Sequence, residues 1–154
     1  MSYEIKQVGV EDAAVLALLH AQCFQGGWSE VECASIMASQ GVFSWIAIYN
    51  TKPVGITMVR AVADESELIT FAVMEEHRRQ GIGRAMLTTA MIYLANQGIR
   101  QMFLEVAEHN HGAIALYKSF GFEQVGKRKG YYAHLYHTVA DALTMRAPLN
   151  AATQ

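Results

Sequence analysis

The segment RRQGIGRAMLTTAMIYLANQG, residues 78–98, places a loop rich in arginine and glycine directly before an amphipathic helical pattern. Gly81 and Gly83 allow the backbone to turn tightly and a ligand to come close, because glycine has no Cβ. The helix N-terminus that follows offers unpaired N–H groups and a partial positive charge. The segment therefore predicts an anion site, most often one for a phosphate group.

Two well-known nucleotide loops do not fit this pattern. The dinucleotide-binding fingerprint requires a third glycine at the position of Met86. The P-loop of nucleoside triphosphatases requires a lysine and then a hydroxyl residue after its last glycine, where this chain has Arg84 and Ala85. Taken alone, the two glycines would also fit a tight loop that leads into a surface helix.

The composition restricts the class of protein. The chain has 154 residues, of which 52% are hydrophobic and 17% charged, which predicts one soluble globular domain over residues 1–147 and a loose tail over 148–154. A net charge of −2 is not the basic footprint of a nucleic-acid binder. We see no apolar run near the ~20 residues of a membrane span and no signal peptide. Cys23 and Cys33 are too few for a disulfide framework, which favours a cytoplasmic location.

Hydrophobic periodicity and turn signals give the order β-α-α-β-β-β-α-β-α-β-β. Ser29 and Glu32 form a capping-box signature at the start of the second helix. Residues 50–53 indicate a turn between two strands, and Gly121 stops the last helix. Hairpins followed by strand–helix–strand units predict an α/β fold with a mixed sheet and helices on both faces.

Two linked stretches resemble one known family. They are ELITFAVMEEHRRQGIGRAML at residues 67–87 and FLEVAEHNHGAIALYKSFGF at residues 103–122. Both are similar to the GNAT N-acetyltransferase superfamily, and RKGYY (128–132) with DALTM (141–145) bring the RimI-type ribosomal-protein-alanine N-acetyltransferases closest. The resemblance implies a GNAT-like fold with a mostly antiparallel twisted sheet, in which a splayed strand pair holds acetyl-coenzyme A.

The same resemblance implies how the cosubstrate binds. The pyrophosphate would lie on N–H groups of residues 79–84, and the pantetheine arm would add like a strand beside main-chain groups of Phe71 and Val73. The arginines of the loop add charge-assisted contacts or form a solvated basic rim. The implied cofactor-binding residues are Phe71, Ala72, Val73, Arg78, Arg79, Gln80, Gly81, Ile82, Gly83, Arg84 and Asn110.

Acetyl transfer from a thioester to an amine needs a base, donors for the oxyanion and an acid for the leaving thiolate. By resemblance Glu105 is the base and Tyr117 the acid, and N–H groups near Val73 serve the oxyanion. For Glu105 the alternative is a buried structural carboxylate paired with a lysine. For Tyr117 the alternative is a structural tyrosine packed in the core. Asn110 is implied to contact the cofactor and also suits the N-cap of the helix that follows.

The acceptor is the least constrained part of the prediction. Trp28, Tyr131 and Tyr132 are the candidate substrate-binding residues, with core packing as the alternative for Trp28. The leading acceptor is the α-amine of a protein or peptide N-terminus, including that of a ribosomal protein. A small amine such as an antibiotic, polyamine or amino acid, a non-catalytic acetyl-coenzyme A sensor, and a toxin that acts on aminoacyl-tRNA are the alternatives.

Departures from the RimI-type pattern weaken the expectation of a ribosomal substrate and leave the expectation of acetyl transfer intact. They are Ala107, Ala140, Glu75 and the glycines of QGGWSE. No partner among nucleic acids or membranes is expected. No metal is expected either, because His109 and His111 lack the i, i+4 spacing that places two ligands on one helix face.

Overall fold

A computed structural model of the chain describes residues 3–128 and 141–150. The candidate residues Tyr131 and Tyr132 lie outside these described residues. The strands are β1 (Tyr3–Val8), β2 (Val42–Tyr49), β3 (Lys52–Val62), β4 (Glu65–Val73), β5 (Gln101–Ala107), β6 (Glu123–Arg128) and β7 (Ala142–Pro148). The helices are α1 (Ala13–Cys23), α2 (Glu30–Ala38), α3 (Ile82–Asn96) and α4 (His111–Ser119), with short 3-10 turns at Val10–Asp12 and Glu75–His77.

The order of elements predicted from the sequence is confirmed over the described residues. Ser29 Oγ accepts the Glu32 N–H at 3.1 Å, and the Ser29 N–H donates to Glu32 Oε1 at 3.0 Å, so the capping box forms. Asn50 and Thr51, with φ of 48° and 69°, close the β2–β3 hairpin as a two-residue turn. These local signals act within a few residues, which is why the sequence indicates them well.

The C-terminal boundary differs from the prediction by two residues. The strand β7 continues through Pro148, which lies opposite Gln101, and the Leu149 N–H donates to the Arg100 carbonyl at 2.8 Å. Pro148 is tolerated here because the pairing of β7 with β6 ends at Arg146. The missing N–H of Pro148 therefore removes no hydrogen bond between β7 and β6. Pro148 and Leu149, which the sequence assigns to a loose tail, are therefore held by main-chain pairing against Gln101 and Arg100.

The seven strands found among the described residues form one mixed sheet in the order β1-β2-β3-β4-β5-β7-β6. All neighbouring pairs are antiparallel except β4 and β5, which are parallel. Helices α1 and α2 pack on one face of the sheet, against Ile56 and Met58 among others. Helices α3 and α4 pack on the other face, against residues such as Val59 and Leu104. The predicted two-faced α/β architecture is confirmed.

The parallel pair opens into a splay. Strands β4 and β5 pair over residues 65–67 and 101–103 and diverge beyond them. On its other side β4 carries a bulge, because Thr70 lies opposite Met58 and Leu68 lies opposite Val59, which leaves Ile69 as the extra residue. The divergence frees the edge of β4 that faces β5 at residues 68–73, and this free edge frames the candidate site.

Two further findings concern the whole described chain. Within residues 3–128 and 141–150, no helix has the length and apolar character needed to cross a membrane. Cys23 and Cys33 are both free thiols, and Cys33 is buried in the core between α1, α2 and the sheet.

Candidate active site

A cleft of about 770 Å³ lies between the diverging halves of β4 and β5. It brings together Glu105, Tyr117, Phe71, Asn110 and Trp28, which come from separate parts of the sequence. Its lining residues are His20, Phe24, Trp28, Glu67, Leu68, Ile69, Thr70, Phe71, Leu104, Glu105, Val106, Ala107, His109, Asn110 and Tyr117. The glycine- and arginine-rich loop is not part of this lining and lies at the end of β4, where α3 begins.

The loop ends at an uncapped helix N-terminus. Gly81 is the N-cap of α3 with φ of 83°, a left-handed conformation that glycine adopts readily. It offers no side-chain cap, so the first N–H groups of α3 are left for another partner. Arg79 also has a positive φ of 64°, which is uncommon for a residue with a side chain. This backbone geometry suits the predicted anion site.

Gly83 serves helix packing as well as the loop. A Cβ at Gly83 would lie 3.3 Å from Phe71 Cζ and 3.7 Å from Val73 Cγ2. The absent side chain therefore faces β4, whereas a Cβ at Gly81 would meet nothing within 4 Å. Gly83 therefore lets α3 lie close against β4. That both glycines also clear space for a phosphate stays a prediction. Ile82 between them is buried, and its side chain packs in the core with Met86 and Val54.

The free edge of β4 presents main-chain groups of alternate residues. The Met74 N–H donates to the Val54 carbonyl at 2.8 Å, so Met74 faces β3. By the alternation of an antiparallel pair, Ala72 also faces β3, while Phe71 and Val73 direct their N–H and C=O groups to the other side. That side is the one that β5 leaves unpaired. Of the three β4 residues predicted to bind the cofactor, Ala72 therefore has its main-chain groups in the sheet.

The arginines of the loop differ in their contacts. Arg78 Nε donates to the Val73 carbonyl at 2.9 Å and ties the loop to the end of β4. Arg84 donates to Ser119 Oγ at 3.0 Å, and its guanidinium lies 5.1 Å from the centre of the Phe120 ring. Both arginines thus hold the elements around the site together. Arg79 and Gln80 are exposed beside the start of α3.

Glu105 enters the cleft from β5. Its neighbours Leu104 and Val106 are buried on the α3–α4 face, so Glu105 points to the opposite face of the sheet. Its side chain is 22% exposed, and Arg128 Nη1 donates to Oε1 at 2.7 Å. The sequence suggested deep burial, with a lysine as the partner if the residue were structural. The structure instead places a half-buried carboxylate in an ion pair with an arginine.

Tyr117 and Asn110 each combine a structural role with a place in the cleft. Tyr117 is 6% exposed, and its ring packs 6.1 Å from that of Phe71 and 5.7 Å from that of Phe122, measured between centroids. Asn110 Oδ1 accepts the Ala113 N–H at 3.3 Å, so Asn110 is the N-cap of α4. The structural alternative for each residue is thus compatible with its position in the lining.

His20 is a cleft residue that the sequence reasoning missed. Its ring stacks on Trp28 with centroids 4.1 Å apart, and its Nδ1 accepts the Trp28 N–H at 3.0 Å. Burial lowers the pKa of His20, and the charge of Glu32 opposes this effect. A Cβ at Gly27 would lie 2.6 Å from Ala21 Cα, so the loop lies directly on α1. His20 continues the buried face of α1, and a polar residue at such a position was the available signal.

Trp28 therefore forms a wall of the cleft and is not simply a core residue. It is held by a ring stack, by a hydrogen bond and by the start of α2 at Ser29. Among the described residues, no group of three or more His, Cys, Asp or Glu is arranged to hold a metal ion.

Two structural features and the sequence together identify the class of this protein. The features are the splayed strand pair with its free edge and the uncapped helix N-terminus that follows it. Residues 14–122 match the family model described as the acetyltransferase (GNAT) family, so the chain belongs to that family. The protein is an N-acetyltransferase that uses acetyl-coenzyme A as its acetyl donor.

Individual relatives show which members of the family this chain is similar to. The [ribosomal protein bS18]-alanine N-acetyltransferase of Escherichia coli K12 is 33% identical over 123 residues, covering 80% of this chain and 82% of the relative. An N-alpha-acetyltransferase of Saccharolobus solfataricus is 32% identical over 122 residues, covering 71% of each chain. The crystal structure of the Escherichia coli S18-alanine enzyme superimposes with a TM-score of 0.89 at 29% identity, over 97% of this chain and 95% of that one.

Proposed function

We propose that this enzyme acetylates the α-amine at the N-terminus of a protein or peptide, with Glu105 as the base and Tyr117 as the acid. The observation that carries the assignment is the cleft itself, whose lining contains both residues together with Phe71 of the free edge of β4. The similarity to N-acetyltransferases that act on protein N-termini supports the choice of acceptor.

Acetyl-coenzyme A would bind along the free edge of β4. Its pyrophosphate would accept hydrogen bonds from the first N–H groups of α3, where the helix dipole favours negative charge. Its pantetheine amides would pair with the outward main-chain groups of Phe71 and Val73, as an added strand does. Arg79 and Gln80 are exposed at the start of α3 and are the polar side chains best placed to contact the phosphates.

The chemistry follows from the charges that must move. An α-amine has a pKa of ~7.7–8.0 and needs to lose a proton before its lone pair can attack the thioester carbon. Glu105 takes that proton directly or through water. The N–H groups at the end of β4 stabilise the tetrahedral oxyanion. After the attack, the nitrogen of the tetrahedral intermediate gives its second proton to water. When the C–S bond breaks, Tyr117 gives a proton to the departing thiolate, and coenzyme A and the acetylated amine are released.

Arg128 has a defined part in this scheme. It donates a hydrogen bond to one oxygen of Glu105 and fixes the orientation of the carboxylate. The second oxygen, Oε2, then takes the proton of the acceptor amine. Glu67 lines the same cleft, and its carboxylate favours a cationic amine there, whereas the charge of Glu105 is offset by Arg128.

Trp28, held by His20, forms one wall for the first residue of the acceptor. Tyr131 and Tyr132, beyond the described residues, are the candidates for the opposite wall. A ribosomal protein is the finer form of the acceptor proposal, and it rests on the similarity to the bS18-alanine enzymes. A cytoplasmic location is proposed with it.

The test measures release of coenzyme A thiol with a panel of acceptors. A short peptide that begins with alanine should exceed spermidine, lysine and aminoglycosides in kcat/KM by at least ~tenfold, which is about 1.4 kcal/mol of transition-state preference. A matched peptide with a blocked α-amine should give no turnover. Faster acetylation of any of the small amines would contradict the proposed acceptor.

A further inference from the structure

Thr70 carries a buried hydroxyl that the proposed mechanism does not use. Its side chain is on the bulged part of β4, is 6% exposed and lines the cleft. Among the described residues its Oγ1 is one of two buried side-chain polar atoms without a hydrogen-bond partner. The other, His77 Nδ1, is not in the lining of this cleft.

An unpartnered buried hydroxyl is costly. Burial of a hydroxyl without a hydrogen bond sacrifices its interactions with water, whereas a valine of nearly the same shape carries no such penalty. Most buried polar atoms in proteins are paired, so an exception calls for a partner that arrives from outside the fold. The cleft beside Thr70 is the place from which such a partner can come.

The bulge in β4 determines on which face of the sheet the Thr70 hydroxyl lies. Ala72 and Ile69 both pack toward the cluster formed by α1, α2 and the sheet. Thr70 shares the face of Ala72 because side chains alternate along the strand, and the extra residue at Ile69 places two successive side chains on that face. The side chains of Phe71 and Val73 instead pack toward α3, near the predicted site for the pyrophosphate.

The α1–α2 face is also where Trp28 and Glu105 lie. Trp28 packs against the α1–α2 cluster, and Glu105 points to this face from β5. On the proposed function, this is the face from which the amine approaches the thioester. Thr70 Oγ1 thus lies on the acceptor side of the strand whose other groups serve the cofactor.

We propose that Thr70 is an acceptor-binding residue whose hydroxyl hydrogen-bonds to the first residue of the acceptor peptide. This inference rests on the proposed function. A hydroxyl suits the task because it accepts a hydrogen bond from an amine N–H and donates one to a peptide carbonyl. It holds the amine without competing with Glu105 for the proton, since a threonine hydroxyl is not a base at neutral pH.

The decisive variants are Thr70→Val and Thr70→Ser, with Thr57→Val as the matched control. Thr57 is a buried threonine of the adjacent strand β3, is absent from the cleft lining, and contacts Met86 Sδ at 3.4 Å through its hydroxyl. The assay is steady-state thiol release with an alanine-initiated peptide. Calorimetric titration of acetyl-coenzyme A and thermal unfolding accompany it.

Thr70→Val should raise KM for the peptide by on the order of tenfold and leave the Kd for acetyl-coenzyme A unchanged. Thr70→Ser should keep KM near the wild-type value, and so should Thr57→Val. The Tm of Thr70→Val should be at least that of the wild type, because the variant removes a hydroxyl that has no partner in the fold.

Three results would overturn the inference. They are an unchanged KM in Thr70→Val, a raised Kd for acetyl-coenzyme A with KM unaffected, and a lowered Tm, which would reveal a structural partner for the hydroxyl. If the wild-type enzyme does not acetylate the peptide at all, the proposed function fails, and this inference fails with it.

Discussion

Replacement of Gly83 by valine tests how closely α3 must approach the cofactor edge of β4. A Cβ at this position would lie 3.3 Å from Phe71 Cζ, so a single methyl group already requires a small shift of the Phe71 ring. Valine adds two more methyl groups in the same space. Overpacking of this kind costs about 1–3 kcal/mol, and each kcal/mol lowers the Tm of a chain of this size by about 2–4 °C, so Tm should fall by about 2–12 °C.

The same substitution should weaken cofactor binding, because Phe71 supplies main-chain groups to the free edge of β4. We expect the Kd for acetyl-coenzyme A to rise at least ~tenfold, which corresponds to about 1.4 kcal/mol. Gly83→Ala, which demands a shift of only a few tenths of an ångström, should have a much smaller effect. Differential scanning calorimetry gives Tm, and isothermal titration gives Kd.

Gly126→Val is the matched control, since a Cβ at Gly126 would make an ordinary contact of 3.6 Å with Thr144 Cβ, away from the cleft. It should leave both Tm and Kd close to the wild-type values. A lowered Tm in Gly83→Val with an unchanged Kd would separate the helix packing from cofactor binding and refute the edge-pairing account. An unchanged Tm would refute the packing account itself.

The remaining predictions concern the catalytic groups and the acceptor wall. Glu105→Gln and Tyr117→Phe should each lower kcat by ~10²–10⁴-fold and leave the Kd for acetyl-coenzyme A nearly unchanged in titration, and full activity of Glu105→Gln would make Glu105 structural. The pKa of His20 is lowered by burial, so the neutral ring stabilises the fold fully above about pH 6.5, and this contribution is lost as pH falls through the lowered value. Protonation at Nδ1 removes the acceptor of the Trp28 N–H, so between about pH 8 and pH 5 the KM for the peptide should rise more steeply in the wild type than in His20→Phe.

The parts of the fold that the sequence predicts are set by local interactions. The capping box at Ser29, the turn at Asn50 and the left-handed Gly81 each depend on residues within a few positions of one another. The family resemblance then brings Glu105 and Tyr117 to one cleft, and they do lie there.

The features that escaped prediction depend on register between elements that are distant in the sequence. Arg128 reaches Glu105 because β7, which follows β6 in the sequence, lies between β5 and β6 in the sheet. The bulge at Ile69 arises from the register of β4 against β3, and no local signal marks it. The stack of His20 on Trp28 depends on a loop that folds back onto α1.

The most direct test of the central claim is to locate the acetyl group on the product. The purified enzyme is incubated with acetyl-coenzyme A and a peptide that begins with alanine and carries one internal lysine, and the product is sequenced by mass spectrometry. The account predicts that the acetyl group is on the α-amine of the first residue. An acetyl group on the lysine side chain, or a peptide left unmodified while a small amine is acetylated, would contradict it.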